Sequence, residues 1–68
     1  MKNKIAQRLR ELIDYNQITS YKLSQDINVS KSVVHYWLNG KTTPNADYII
    51  AICQYFGVSS DYLLGLEN

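Results

Sequence analysis

The sequence predicts a compact all-α domain of five short helices. Apolar residues recur at helical spacings of three and four along the 68-residue chain, of which 46% is hydrophobic. Residues that favour helix caps and tight turns separate these apolar stripes. At this length we expect one domain over residues 1–68, with about 60% of the unfolded chain's surface buried on folding.

Helix 1 is predicted from about Lys2 to Tyr15, with Asn16 ending it in a left-handed conformation. Its apolar stripe consists of Ile5, Leu9, Leu12 and Ile13. These positions follow the i, i+4, i+7, i+8 pattern of an amphipathic helix. The helix is therefore expected to bury one face and to leave the other in solvent.

Helices 2 and 3 are predicted to be short and joined by a tight turn. Thr19 or Ser20 is expected to cap helix 2 and Ser30 to cap helix 3, because their hydroxyls accept bonds from free N–H groups of a first turn. Asn28 lies between the helices and tolerates a positive φ better than other non-glycine residues. Gly40 is expected to stop helix 3. The inward-facing residues are Leu23, the small Ser24, Ile27, Val33, Val34, Trp37 and Leu38.

Helix 4 is predicted between its cap at Asn45 and Gly57, and Ser59 or Ser60 is expected to cap helix 5. The inward residues of helix 4 are Ile49, Ile50, Ile52, Cys53 and Phe56. Helix 5 contains Tyr62, Leu63 and Leu64. Because Cys53 is the only cysteine and lies on an apolar stripe, we expect a buried thiol rather than a redox sensor.

Charge is divided unevenly along the chain, although the net charge is only +1. Residues 1–45 hold all seven Lys and Arg and three of the six acids, a net charge of +4. Residues 46–68 hold the other three acids and no Lys or Arg. A basic part of this kind is suited to a polyanion such as nucleic acid. Chance also produces such a division in a small chain, so it indicates a function only together with other features.

The layout of helices 2 and 3 is that of a helix-turn-helix, in which two short helices cross steeply over a tight turn. Apolar anchors would hold one side of helix 3 against the protein. The other side carries polar residues that the fold does not need, namely Lys31, Ser32, His35, Tyr36 and Asn39. A DNA major groove, about 12 Å wide, admits one helix. The sequence therefore predicts a DNA-reading face on helix 3.

Three segments together are typical of one family. Residues 29–41 read Val-Ser-Lys-Ser-Val-Val-His-Tyr-Trp-Leu-Asn-Gly-Lys, residues 43–44 read Thr-Pro, and residues 56–64 read Phe-Gly-Val-Ser-Ser-Asp-Tyr-Leu-Leu. Over about residues 5–65 the chain resembles the Cro/C1-type (XRE-like) helix-turn-helix domains of phage repressors and related bacterial regulators. The resemblance implies a lambda-repressor-like fold, sequence-specific binding of double-stranded DNA, and a cytoplasmic repressor that blocks polymerase.

Departures from the family's pattern occur at three places. Ser20 stands where members usually have a glutamine that bonds a phosphate and braces helix 3, and Asn28 replaces the usual turn glycine. Ile13 and Leu38 stand where members often pair an arginine with a glutamate. We expect a van der Waals contact between these two side chains, because the joint absence of both charged partners would be an odd coincidence at positions that do not touch. Replacing an ion pair by apolar residues is often neutral or stabilising.

Helical phase and the family's base-reading positions divide the DNA-facing residues into two groups. The expected base contacts are Lys31, Ser32 and Tyr36. The expected contacts to the DNA backbone are Ser20, His35, Asn39, Lys41 and Thr42. A lysine suits the O6 and N7 acceptors of guanine, so Lys31 is the candidate for reading a guanine.

A weak homodimer is expected, because one such module buries only about 600–1,000 Å² against DNA. Two copies would occupy a palindromic operator with half-sites about 34 Å apart. The expected dimer interface is formed by Tyr55, Tyr62, Leu63, Leu64 and Leu66. This part of the chain has no basic group to attract phosphate, and its apolar residues exceed what one short helix can bury. DNA would strengthen the pairing.

Two other functional classes are open to the same sequence. A protein-interaction module, such as an antitoxin or adaptor, could use this fold, since a fold alone does not decide function. The polar face of helix 3 favours DNA over that alternative. A small enzyme is disfavoured, because no nucleophile–base pair is present. With one His and one Cys, we expect no metal and no cofactor, and we also expect no membrane segment and no small-molecule ligand.

Overall fold

The computed structural model describes residues 4–67, and in that span the chain forms five α-helices and no β-strand. The helices are α1 (Ile5–Tyr15), α2 (Ser20–Asp26), α3 (Lys31–Leu38), α4 (Ala46–Phe56) and α5 (Ser60–Leu64). The predicted all-α class with five helices is confirmed. The predicted start of helix 1 at Lys2 lies outside the described residues, and α1 begins at Ile5 with Lys4 at the N-cap position.

Side-chain caps begin four of these helices. The capping residues are Thr19, Ser30, Asn45 and Ser59, whose side-chain oxygens accept a hydrogen bond of 3.0–3.3 Å from the backbone N–H three residues later. Of the two candidates named for α2 and for α5, the earlier residue is the cap in each case. A cap of this kind contributes about 1 kcal/mol, so these residues fix where each short helix begins.

The end of α1 differs from the prediction. Asn16 keeps a right-handed conformation, because its backbone N–H and its Nδ2 both donate to the carbonyl of Leu12, at 3.0 and 2.8 Å. The left-handed residue is instead Gln17, with a φ of 56°. The prediction that Asn16 reverses the chain is therefore wrong by one residue. The backbone N–H of Ile18 then bonds the carbonyl of Ile13 at 3.2 Å and closes the turn.

The core draws on every helix. Its buried apolar residues are Ile5, Leu9, Leu12, Leu23, Val34, Trp37, Ile52, Cys53 and Leu63. Ile50, predicted to be inward, is 54% exposed, because it lies about 100° around α4 from the buried stripe. Burial raises the pKa of the Cys53 thiol, which agrees with the predicted buried thiol. Leu63 is fully buried, which corrects its place in the predicted dimer interface.

Between α2 and α3 the chain makes the expected tight turn. Asn28 has a φ of 60°, as predicted. Ser24 is buried, its Oγ donates to the carbonyl of Tyr21 at 2.6 Å, and its own carbonyl accepts from the N–H of Val29 at 2.9 Å. A larger residue at position 24 would separate the helices, because α2 and α3 pack directly on each other. The turn and this packing set the angle between α2 and α3.

Candidate nucleic-acid interface

Helix α3 presents one apolar face to the core and one polar face to solvent. Val34 and Trp37 are buried, three residues apart, as the 3.6-residue period requires. The predicted DNA-facing residues of this helix and of its C-cap are all exposed, namely Lys31, Ser32, His35, Tyr36 and Asn39. The structure therefore brings these five side chains to one surface.

Two contacts fasten α3 from behind. The ring of Trp37 packs against that of Tyr48 in α4, with centroids 5.3 Å apart. From α1, Arg10 donates from Nη1 to the carbonyl of Leu38 at 2.6 Å. This carbonyl is one of the last four of the helix, which have no partner inside it, and a cation there also suits the helix dipole. Both contacts lie at the C-terminal end of α3 and hold that end against α1 and α4, with the polar face toward solvent.

Arg10 was missed by the sequence reasoning. Arg10 precedes Ile13 by three residues and so lies on the same side of α1, which was the available signal. Ile13 and Leu38 are both half-buried and pack against the core. Their direct contact stays a prediction, while the link that joins α1 to the end of α3 is the Arg10 hydrogen bond.

The loop after α3 is hydrogen-bonded back to the C-terminal half of that helix. The backbone N–H groups of Lys41 and Thr42 both donate to the carbonyl of Tyr36, at 3.0 and 3.4 Å. Gly40 makes the bend with a φ of 73°. These bonds place Lys41 and Thr42, both predicted to contact the DNA backbone, beside Tyr36. Both residues are exposed.

The beginning of α2 borders the same surface. Ser20, a predicted phosphate contact, is the first residue of α2 and is half-buried. The next residue, Tyr21, was not singled out from the sequence, yet it is 53% exposed and its ring centroid lies 5.9 Å from Nζ of Lys31. Gln25 donates from Nε2 to the Tyr21 hydroxyl at 2.9 Å. An aromatic residue without a core role was the available signal.

Ion pairing separates the lysines of this region into two kinds. Nζ of Lys22 lies 3.3 Å from Oδ2 of Asp26. The hydroxyl of Tyr55 also donates to Asp26, at 2.5 Å, and this bond together with Lys22 holds the pKa of Asp26 below its usual value. Within residues 4–67, Lys31 and Lys41 have no carboxylate within ion-pair distance. Their charges are therefore available to phosphates or bases.

At the opposite end of the chain the predicted interface residues have varied surroundings. Leu66 is 70% exposed, and Tyr55, Tyr62 and Leu64 are half-buried. The guanidinium of Arg8 lies 4.3 Å from the Tyr62 ring centroid, and its Nη2 donates to the carbonyl of Glu67 at 3.2 Å. A basic residue of α1 thus lies at the acidic end of the chain rather than on the surface of α3.

The family is decided by a sequence comparison. The profile of the helix-turn-helix domain family matches residues 6–68. The chain belongs to this family. Its members are DNA-binding transcriptional regulators and not enzymes. The family membership inferred from the recognition-helix motif is therefore confirmed.

Two relatives and one solved structure that resemble this chain are named as regulators or activators of transcription. The HTH-type transcriptional activator BcrR of Enterococcus faecalis is 30% identical over 62 residues, which are 91% of this chain and 30% of that protein. The uncharacterized HTH-type transcriptional regulator YobD of Bacillus subtilis (strain 168) is 30% identical over 63 residues, 93% of this chain and 56% of that one. A transcriptional regulator from Listeria innocua superposes with a TM-score of 0.90 at 25% identity, over all of this chain and 64% of its own. The chain thus spans less than two thirds of each of these proteins.

Residues 4–67 contain neither a membrane-spanning helix nor a metal-binding cluster. In that part of the chain, no helix is long and apolar enough to cross a membrane. The same residues include no group of three or more His, Cys, Asp or Glu side chains placed to hold a metal ion.

Proposed function

We propose that the protein is a sequence-specific regulator of transcription that inserts α3 into the major groove of double-stranded DNA. The observation that carries this proposal is the exposed polar face of α3, with Lys31 and Lys41 at its two ends and no carboxylate of residues 4–67 within ion-pair distance of either lysine. An α-helix fits the major groove. Each cation that contacts a phosphate raises the affinity for DNA, because it releases counterions. The fastening by Trp37 and Arg10 supports the proposal, because a groove-reading helix must keep one orientation.

The proposed contacts divide between bases and backbone. Lys31, Ser32 and Tyr36 contact base edges, and Lys31 is suited to a guanine. The backbone contacts are made by Ser20, His35, Asn39, Lys41 and Thr42. The hydrogen bonds of Lys41 and Thr42 to the Tyr36 carbonyl support this division, because they keep the loop at the edge of the reading face.

Selection of bound sequences from random double-stranded DNA tests the proposal. One preferred sequence is expected. On that sequence Lys31→Ala should weaken binding by about 1–3 kcal/mol while leaving random DNA little changed. Lys41→Ala is the matched control, and it should weaken preferred and random DNA alike while reducing the salt dependence. A folded protein that enriches no sequence would contradict the proposal and favour the protein-interaction module.

The proposal includes a weak homodimer on a palindromic operator. Leu66 and the half-buried Leu64 and Tyr62 form its centre, since Leu63 is buried and the Tyr55 hydroxyl is bonded to Asp26 of the same chain. Such a patch falls below the roughly 1,200 Å² of stable interfaces, so pairing should depend on DNA. Titration of one palindrome should show binding of second order in protein. Binding of first order with a footprint of one half-site would overturn the dimer.

The proposed direction of regulation is repression, because a small domain that occupies a promoter excludes polymerase from it. BcrR is named an activator, so the two directions need a direct test. A reporter with the selected sequence inside its promoter should lose expression when the protein is supplied. Unchanged expression when the sequence lies far upstream is the control, and a rise from the promoter position would reverse the assignment.

A further inference from the structure

Lys31 occupies an electrostatically unfavourable place. It is the first residue of α3, where the helix dipole presents partial positive charge. Among residues 4–67 it has no carboxylate within ion-pair distance. A lysine ammonium is a compact point charge on a long, flexible chain, so by itself it does not choose between neighbouring bases. Something must direct it if it is to read one base pair.

Among residues 4–67, the ring of Tyr21 is the partner of this ammonium. Nζ of Lys31 lies 5.9 Å from the ring centroid of Tyr21, within the roughly 6 Å over which the negative face of an aromatic ring attracts a cation. The ring belongs to α2 and the ammonium to α3, so the contact crosses the turn. We propose that Tyr21 is a positioning residue that sets the base preference of Lys31. This inference rests on the proposed function and adds a specificity residue to it.

The Tyr21 ring is itself held in place. Gln25, one helical turn later, donates from Nε2 to the Tyr21 hydroxyl at 2.9 Å. The carbonyl of Tyr21 accepts from Oγ of the buried Ser24 at 2.6 Å. Backbone and ring are therefore both anchored to α2, although the ring is 53% exposed. A fixed ring offers the ammonium one preferred position.

This arrangement acts on discrimination more than on total affinity. Holding the ammonium near the ring removes part of its freedom before DNA arrives, so less entropy is lost when a base is bound. Without the ring, Lys31 still attracts DNA, but it reaches neighbouring bases and phosphates equally well. Loss of Tyr21 therefore flattens the preference at the base pair that Lys31 reads and leaves the other positions unchanged.

A double-mutant cycle tests the inference. The base pair that loses its preference in Lys31→Ala is first identified with a panel of sites altered one base pair at a time. Tyr21→Leu should reduce discrimination at that base pair by about two- to fivefold, the range expected for an exposed cation–aromatic contact. In the Lys31→Ala background, Tyr21→Leu should change nothing further. Tyr21→Phe keeps the ring and loses the Gln25 bond, so its effect should be smaller.

Two controls separate positioning from structure. Tyr15→Leu removes another exposed tyrosine, 87% accessible and at the end of α1, and should leave base preference unchanged. Thermal unfolding of every variant shows that each remains folded. The dependence of affinity on salt should be the same for Tyr21→Leu and the wild type, because Tyr21 neutralises no phosphate.

Three results would overturn the inference. They are an equal loss at every base pair in Tyr21→Leu, the same loss with and without Lys31, and full discrimination without the ring. If Lys31→Ala leaves base preference intact, the base assignment under the proposed function fails as well. If Lys31→Ala alters the preference and Tyr21→Leu does not, only the role of Tyr21 fails.

Discussion

Basic residues have different surroundings at the surface of α3 and at the end around α5. Around α3, Lys31 and Lys41 remain without acidic partners among the described residues and face solvent. Around α5, Arg8 lies on the Tyr62 ring and bonds the Glu67 carbonyl, and the Lys4 side chain covers Gly65. Sequence position alone therefore did not reveal which cations are free, because all four belong to the basic first part of the chain.

The comparison has a consequence for binding. Cations already engaged inside the protein gain little from phosphates, since they would have to give up their present contacts. Lys31 and Lys41, by contrast, lie at the two ends of α3, where the chain also exposes polar side chains. This helix is held in place by Trp37 and Arg10. The other end exposes leucine instead, which suits a protein partner better than DNA.

The largest expected effect separates buried from exposed leucine at the α5 end. Leu63→Ala should lower the free energy of unfolding by about 2–5 kcal/mol, because Leu63 is fully buried in the core. Leu66→Ala should change it by no more than about 0.5 kcal/mol, because that side chain is 70% exposed. Chemical denaturation of both variants measures this. Similar values for the two would mean that the end of the chain packs differently.

A pair of glycines, one in each region, should differ next. Gly40 and Gly65 both have positive φ, but an added Cβ meets open space at Gly40 and lies 2.8 Å from Cγ of Lys4 at Gly65. Gly40→Ala should cost about 1–2 kcal/mol from the left-handed backbone alone, and Gly65→Ala should cost more. Lys4→Gly, at an N-cap position that tolerates glycine, should remove the difference. Equal costs for the two alanines in the wild-type background would contradict this.

Local signals predicted the fold well and failed where they competed. The caps at Thr19, Ser30, Asn45 and Ser59 and the turn at Asn28 depend on neighbouring residues only, so the sequence shows them. The prediction that Asn16 is left-handed was wrong because its side chain bonds back to the Leu12 carbonyl inside the helix. The prediction that Ile50 faces inward was wrong because its angle around α4 turns it away from the buried stripe.

The candidate site was predictable in part. The exposed side of α3 follows from helical phase, once Val34 and Trp37 are taken as the core side. The contacts of Arg10 with Leu38 and of Tyr21 with Lys31 join residues of different helices. Such contacts depend on how the helices pack, and no periodicity within one helix shows them.

Removal of the Arg10 contact should affect the orientation of α3, and so DNA binding, more than the packing of the α5 end. Arg10→Met keeps most of the side chain and loses the hydrogen bond to the Leu38 carbonyl. The free energy of unfolding should fall by about 1 kcal/mol, and affinity for the preferred DNA should fall beyond what unfolding explains. Arg10→Lys is the control that retains a donor. An unchanged affinity in Arg10→Met would show that this bond does not orient α3.

The smallest expected effect is a pH dependence of the link between α2 and α4. The Tyr55 hydrogen bond lowers the pKa of Asp26, and Asp26 raises the pKa of Tyr55. A carboxyl with a lowered pKa stabilises the fold above about pH 4, and this contribution is lost as the pH falls through the folded pKa. A phenol with a raised pKa stabilises the fold below about pH 10, and this contribution is lost as the pH rises through the folded pKa.

The measurement is the denaturant midpoint of unfolding at a series of pH values. The difference in midpoint between wild type and Tyr55→Phe should be constant from pH 5 to about 9 and shrink outside that range. Tyr15→Phe, an exposed tyrosine outside this link, should show no such window. A Tyr55→Phe difference that stays constant down to about pH 2 would mean that the bond to ionised Asp26 does not stabilise the fold, and that the two helices are held by apolar packing alone.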